Sequence, residues 1–172
     1  MSIRTDMSAA TRNFILLGSA LTIAAALWVL VKHESTVPEV SITTIQGEKV
    51  PLYSLRGQVV LVNFWATDCA VCVKEMPMMA ATYRKYRARG FEALFIAMPH
   101  DRPDHVLHFA SRNELPFKVA LDVQGEINRA FGDIKVTPTT LIADKNGRIV
   151  KRIVGEPDFE RLHALIERKL GE

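Results

Sequence analysis

Residues 59–65 read VVLVNFW, an almost unbroken apolar run of strand length. Such a run does not alternate, so it suits a strand covered on both faces and demands layers of other elements around it. Four residues past it comes Cys69, and then Cys72; these are the two cysteines of the chain. Two cysteines exclude a disulfide-dense scaffold. With 172 residues, 48% apolar and 24% charged, the chain is neither wholly disordered, collagen-like nor a multi-span membrane protein. A net charge of +3 is too small an excess to build a nucleic-acid-binding face, so no nucleic acid is expected as a partner.

The segments flanking the run alternate in type. Residues 40–45 and 50–52 read as a small hairpin. Residues 70–89 are expected as a helix with Val73, Met76, Ala80 and Tyr83 on one stripe, interrupted by Pro77 and capped by Gly90. Residues 91–98 form a second buried strand. Residues 103–113 form a helix entered through a loop, 100–105, that carries a capping aspartate. A short strand at 117–121 and a short helix at 126–131 follow. Residues 139–143 and 148–154 flank Asn146-Gly147, a strong hairpin signal. Residues 158–170 close the chain as a helix burying Phe159, Leu162, Leu165, Ile166 and Leu170, with Pro157 near its start and Gly171 past its end. This order predicts an α/β domain with a central mixed β-sheet flanked by helices.

Residues 14–31 (FILLGSALTIAAALWVLV) carry no charge. As a helix they span roughly 27 Å, close to the ~30 Å hydrocarbon core. Arg4 and Arg12 precede the segment with Asp6 opposing, while Lys32, His33 and Glu34 nearly cancel after it. The positive-inside rule places residues 1–13 in the cytoplasm, 14–31 across the inner membrane as a single transmembrane anchor, and the rest outside the cytoplasm. Ala24-Ala25-Ala26 offers the competing reading of a cleavable signal. Residues 32–39 read as a linker and 40–172 as one domain.

A C-x-x-C at a helix N-terminus puts its first sulfur beside unpaired backbone N–H groups and the positive end of the dipole. This favours a thiolate at Cys69 over the ordinary thiol of pKa ~8.5. The two-residue spacing returns Cys72 to the same face, in disulfide range. Cys69 can then attack a substrate disulfide, and Cys72 can release it. A zinc half-site would need two further ligands. A permanent structural disulfide would close only a tiny loop. Copper capture by Cys69, Cys72 and a histidine from His100, His105 or His108 is the rival from another class.

The segment Asn63-Phe64-Trp65-Ala66-Thr67-Asp68-Cys69-Ala70-Val71-Cys72-Val73-Lys74-Glu75-Met76-Pro77 resembles the active-site segment of thioredoxin-like proteins, most of all the membrane-anchored TlpA/ResA-like thiol–disulfide oxidoreductases. Val136-Thr137-Pro138-Thr139-Thr140-Leu141-Ile142 resembles the loop and strand bearing their cis-proline. The similarity covers residues 38–170. It implies a thioredoxin-like fold and a redox-active Cys69–Cys72 disulfide, with Cys69 as nucleophile and Cys72 as resolving thiol; no cofactor or metal is implied. By the same resemblance Pro138 is the cis-proline, and the Thr137 backbone pairs with an extended substrate segment. Trp65 and Asp68 fall on the substrate-facing part of the motif. Pro77 matches the family's kinking proline. Glu75 matches the acid of C-x-x-C-x-x-E, a residue expected to shuttle the Cys72 proton.

Four positions depart from the pattern. Asp68 stands where the family usually has Trp, and its charge opposes a Cys69 thiolate. Asn63 stands where thioredoxins proper have a buried Asp, which closes that proton route. Ala70-Val71 replaces the Gly-Pro dipeptide that tunes redox potential. Ala66 stands where a peroxiredoxin motif would have Thr. The resemblance implies an extracytoplasmic reductase of protein disulfides, of the cytochrome c maturation type or a related one, reset by a membrane thiol reductant. A disulfide oxidase or isomerase is the same-chemistry alternative.

Overall fold

The computed structural model describes residues 35–172. The expected anchor and cytoplasmic segment lie outside the described residues. Among those described, no helix is long and apolar enough to cross a membrane.

The chain forms β1 (Ser41–Thr43), β2 (Lys49–Pro51), β3 (Val59–Trp65), α1 (Ala70–Tyr86), β4 (Phe91–Ala97), α2 (Pro103–Arg112), β5 (Lys118–Leu121), α3 (Glu126–Ala130), β6 (Thr139–Ala143), β7 (Ile149–Val154) and α4 (Phe159–Gly171). The main sheet has the order β5-β4-β3-β6-β7. β3 pairs parallel to β4 and antiparallel to β6, so the apolar run is the central strand. All seven of its residues are buried.

Alternation along β3 divides the core. Val59, Leu61 and Trp65 face a cluster completed by Met76, Met79 and Tyr86 of α1, Val106 of α2, and Leu162 and Ile166 of α4. Val60, Val62 and Phe64 face Ile42 and Val50 of the small hairpin together with Ile127 of α3. Asn63 belongs by parity to the first face and places an amide beneath α1.

Three boundaries differ from expectation. Residues 35–37, read as linker, dock on the turn before β7: Ile149 N–H donates to the Ser35 carbonyl at 2.7 Å and Val37 N–H to that of Gly147 at 2.8 Å. Residues 35–37 thus belong to the compact unit Ser35–Glu172. α4 runs through Gly171 rather than stopping before it, and its N-cap is Asp158, whose carboxylate accepts from Glu160 and Arg161 N–H. No side chain caps α2. Gly90 closes the turn after α1 at φ +89°, where a built Cβ would meet nothing. The left-handed backbone, not crowding, is what calls for glycine there.

Candidate active site

β3 ends at Trp65, and the turn 66–68 delivers Cys69 to the head of α1. Cys69 is the N-cap, with φ −89° and ψ 101°, and its sulfur accepts a hydrogen bond from Cys72 N–H at 3.2 Å. A side-chain acceptor at the N-cap satisfies a backbone donor that the helix leaves open. The acceptor here is a sulfur, so the same N–H would stabilise it as a thiolate. Cys69 and Cys72 are disulfide-bonded, with Cα atoms 5.2 Å apart. Their exposure is unequal: Cys69 is partly exposed, whereas Cys72 is 0% exposed.

The turn is pinned from the side. Asp101, in the loop between β4 and α2, accepts from both Thr67 N–H and Thr67 Oγ1, each at 2.6 Å. Sequence reasoning read an aspartate of this loop as a helix cap; Asp101 instead holds the approach to Cys69. Nothing local to Asp101 signals this partner, which lies 34 residues away.

Glu75 lies one helical turn past Cys72 and is 1% exposed. Asn63 Nδ2 donates to its Oε1 at 3.1 Å and to Thr140 Oγ1 at 2.9 Å. Register explains the trio, since Asn63 pairs with Thr140 across the sheet. Burial pushes the Glu75 carboxyl up to about 7; the Asn63 hydrogen bond opposes this and the nearby charge of Glu156 adds to it. Its Oε2 is buried without a hydrogen-bond partner among the described residues, as a protonated or proton-exchanging acid would tolerate better than a fixed carboxylate. Asn63 does not itself exchange a proton as an acid or base, yet it positions the group that can.

Across the sheet, Phe64 pairs with Thr139, so Pro138 stands opposite Trp65 at the same sheet end as Cys69. The Thr137–Pro138 bond is cis, and Thr137 is partly exposed. Asp68 is exposed beside Cys69 and faces His100, with Oδ1 3.7 Å from Nε2. Trp65 is wholly buried, its ring centroid 5.4 Å from that of Phe109, so it offers no surface to a partner and supports the site by packing. Among the described residues, no group of three His, Cys, Asp or Glu side chains is placed to hold a metal ion. The copper-capture alternative thus finds no assembled ligand set there.

A partly exposed sulfur at a helix head, a buried partner sulfur and a buried acid one turn further on can run two successive thiol–disulfide displacements.

The family model for redoxin matches residues 32–166. The chain is 37% identical over 132 residues to the thiol-disulfide oxidoreductase ResA of Bacillus thuringiensis subsp. konkukian, covering 76% of this chain and 75% of that protein. It is 36% identical over 133 residues to the ResA of Geobacillus thermodenitrificans, covering 77% and 75%. The crystal structure of a thiol:disulfide interchange protein of the thioredoxin family from Chlorobium tepidum superposes with a TM-score of 0.74 at 27% identity, over 81% of this chain and 98% of that one.

Proposed function

The chain belongs to the redoxin family as a thiol–disulfide oxidoreductase of the thioredoxin fold, and from that premise we propose that it is a membrane-anchored reductase of disulfides in partner proteins. The Cys69 thiolate attacks one sulfur of the partner's disulfide. A mixed disulfide forms, and the partner's other sulfur leaves as a thiolate that takes up a proton. Cys72 then gives its proton to Glu75 and attacks the Cys69 sulfur. The Cys69–Cys72 bond forms, and the second partner sulfur leaves as a thiolate that takes the proton back from Glu75. Two electrons have passed to the partner, whose two thiols carry one proton from solvent and one from Cys72 by way of Glu75, and the protein ends oxidised.

The unequal exposure of the two sulfurs supports this most directly. Cys69 can meet a partner, whereas Cys72 is buried and can reach the Cys69 sulfur but no partner; Glu75 is buried one turn further along α1. An acid near 7 is poised to accept and return a proton at neutral pH.

The uncharged segment 14–31 supports a single-pass anchor in the inner membrane, with the N-terminus cytoplasmic and the domain periplasmic or otherwise extracytoplasmic. A tether suits a membrane thiol reductant that resets the pair. The resemblance of residues 63–77 to the TlpA/ResA-like active-site segment is the ground for substrates of the cytochrome c maturation type or a related one. The equilibrium potential against glutathione tests the direction of flow. A value near roughly −270 mV supports reduction, and one near about −120 mV would reassign the protein as an oxidant.

A further inference from the structure

Two cavities open along the seam between α1 and α2. One, of about 680 Å3, starts at Thr67 and passes His105, His108 and Arg112. The other, of about 230 Å3, passes Val73, Met76 and Arg84. Phe109 and Asn113 line both, so the two cavities are neighbours that meet at these residues, and together they form the groove. It begins two residues before Cys69 and follows α1 away from the sulfurs.

Its floor is apolar: Met76 is buried, and Val73 and Phe109 are partly exposed. Its walls are basic. Arg84 and Arg112 are both exposed, and neither guanidinium has an ion pair or hydrogen bond among the described residues. The one carboxylate on the groove, Asp104, is already engaged by Arg102 at 2.8 and 3.1 Å; that pairing holds its carboxyl below the ordinary range. Nothing within the domain answers the two arginines. A guanidinium presents a planar fork of donors that matches a carboxylate, and an apolar floor between two such forks selects for more than charge.

Resting on the reading that Cys69 attacks a partner disulfide, we propose that this groove receives the partner chain flanking that disulfide, as a segment of interleaved acidic and apolar residues. Its carboxylates meet Arg84 and Arg112, and its apolar side chains cover Val73 and Phe109. The groove thereby selects the substrate, while the Cys69 region performs the exchange.

The test uses the full chain in non-ionic detergent, reduced beforehand, and three peptides. Each carries one disulfide followed by a Glu-Leu, Ser-Leu or Lys-Leu repeat. The wild type is expected to reduce the Glu-Leu peptide about tenfold faster than the Lys-Leu peptide at low salt, with Ser-Leu between. The double variant Arg84→Glu with Arg112→Glu should invert that order, which a merely damaged fold cannot do. Both proteins should reduce 2-hydroxyethyl disulfide, small and uncharged, at rates within about twofold of each other. Equal wild-type rates on the three peptides, or an acidic preference that survives in the variant, overturn the groove proposal while leaving the chemistry standing. Failure of the wild type on 2-hydroxyethyl disulfide overturns the oxidoreductase reading and the groove with it.

Discussion

Glu75 is the residue whose neighbours change its chemistry most. An ordinary glutamate titrates at 4.5, and burial holds this one near 7. Between those values the folded state keeps a proton that the unfolded chain has lost. Stability therefore falls as pH rises across that window, by about 1.4 kcal/mol per pH unit and about 3 kcal/mol in all. Denaturant melts of the oxidised protein between pH 4 and pH 8 are expected to show that slope, and Glu75→Gln to flatten it. In stopped-flow reduction of a small disulfide, the same variant should lose any inflection near neutrality in its pH profile. A profile that keeps its shape would remove Glu75 from the proton path. Asp101 makes a second test at this scale. Asp101→Ala strands a Thr67 N–H and hydroxyl, at a cost of about 1–3 kcal/mol. The turn bearing Cys69 then loosens, so exchange should slow beyond what the Tm loss alone predicts. The C-x-x-C spacing named both cysteines, and the resemblance to TlpA/ResA-like proteins named Glu75. Asp101 and the donor role of Asn63 stayed hidden, because each acts through a partner that no local pattern reveals.

At the scale of elements, most boundaries followed from periodicity and punctuation. The β3 run, the Asn146-Gly147 turn and Gly90 were readable because each depends on a few adjacent residues. The apolar stripe expected on α1 is Val73, Met76, Ala80 and Tyr83; Met76 and Ala80 are buried, while Val73 and Tyr83 are only partly so. The buried face holds Cys72, Glu75, Met76, Met79, Ala80, Thr82 and Tyr86. A carboxylate is a poor guess for a core position, and only the Asn63 amide across the interface makes it tolerable. This offset turns Cys72 inward and makes the two sulfurs unequal. α4 offers a clean energetic test remote from the site. Asp158→Ala removes the carboxylate that accepts from Glu160 and Arg161 N–H, so urea unfolding should show a loss of about 1 kcal/mol. Turnover of a small disulfide should be unchanged.

For the whole molecule, two buried clusters pack on the sheet among the described residues 35–172. That segment expressed alone is expected to unfold in one cooperative denaturant transition and to keep its rate on small disulfides; a non-cooperative melt would mean the core is incomplete without residues 1–34. The amino-acid sequence by itself determined the layered α/β class, the alternating element order and the placing of two cysteines at a helix head. These rest on hydrophobic period and on contacts a few residues apart. The tertiary structure alone decided that Asn63 would hold Glu75, that Asp101 would pin Thr67 and that Trp65 would be interior. It also brought two arginines, unpaired among the described residues, to one groove. The Asn63–Glu75, Thr67–Asp101 and Asn63–Thr140 pairings join residues 12, 34 and 77 apart in the chain. Sheet register and helix packing choose them only once the whole core has closed, and no window of sequence contains both partners' surroundings.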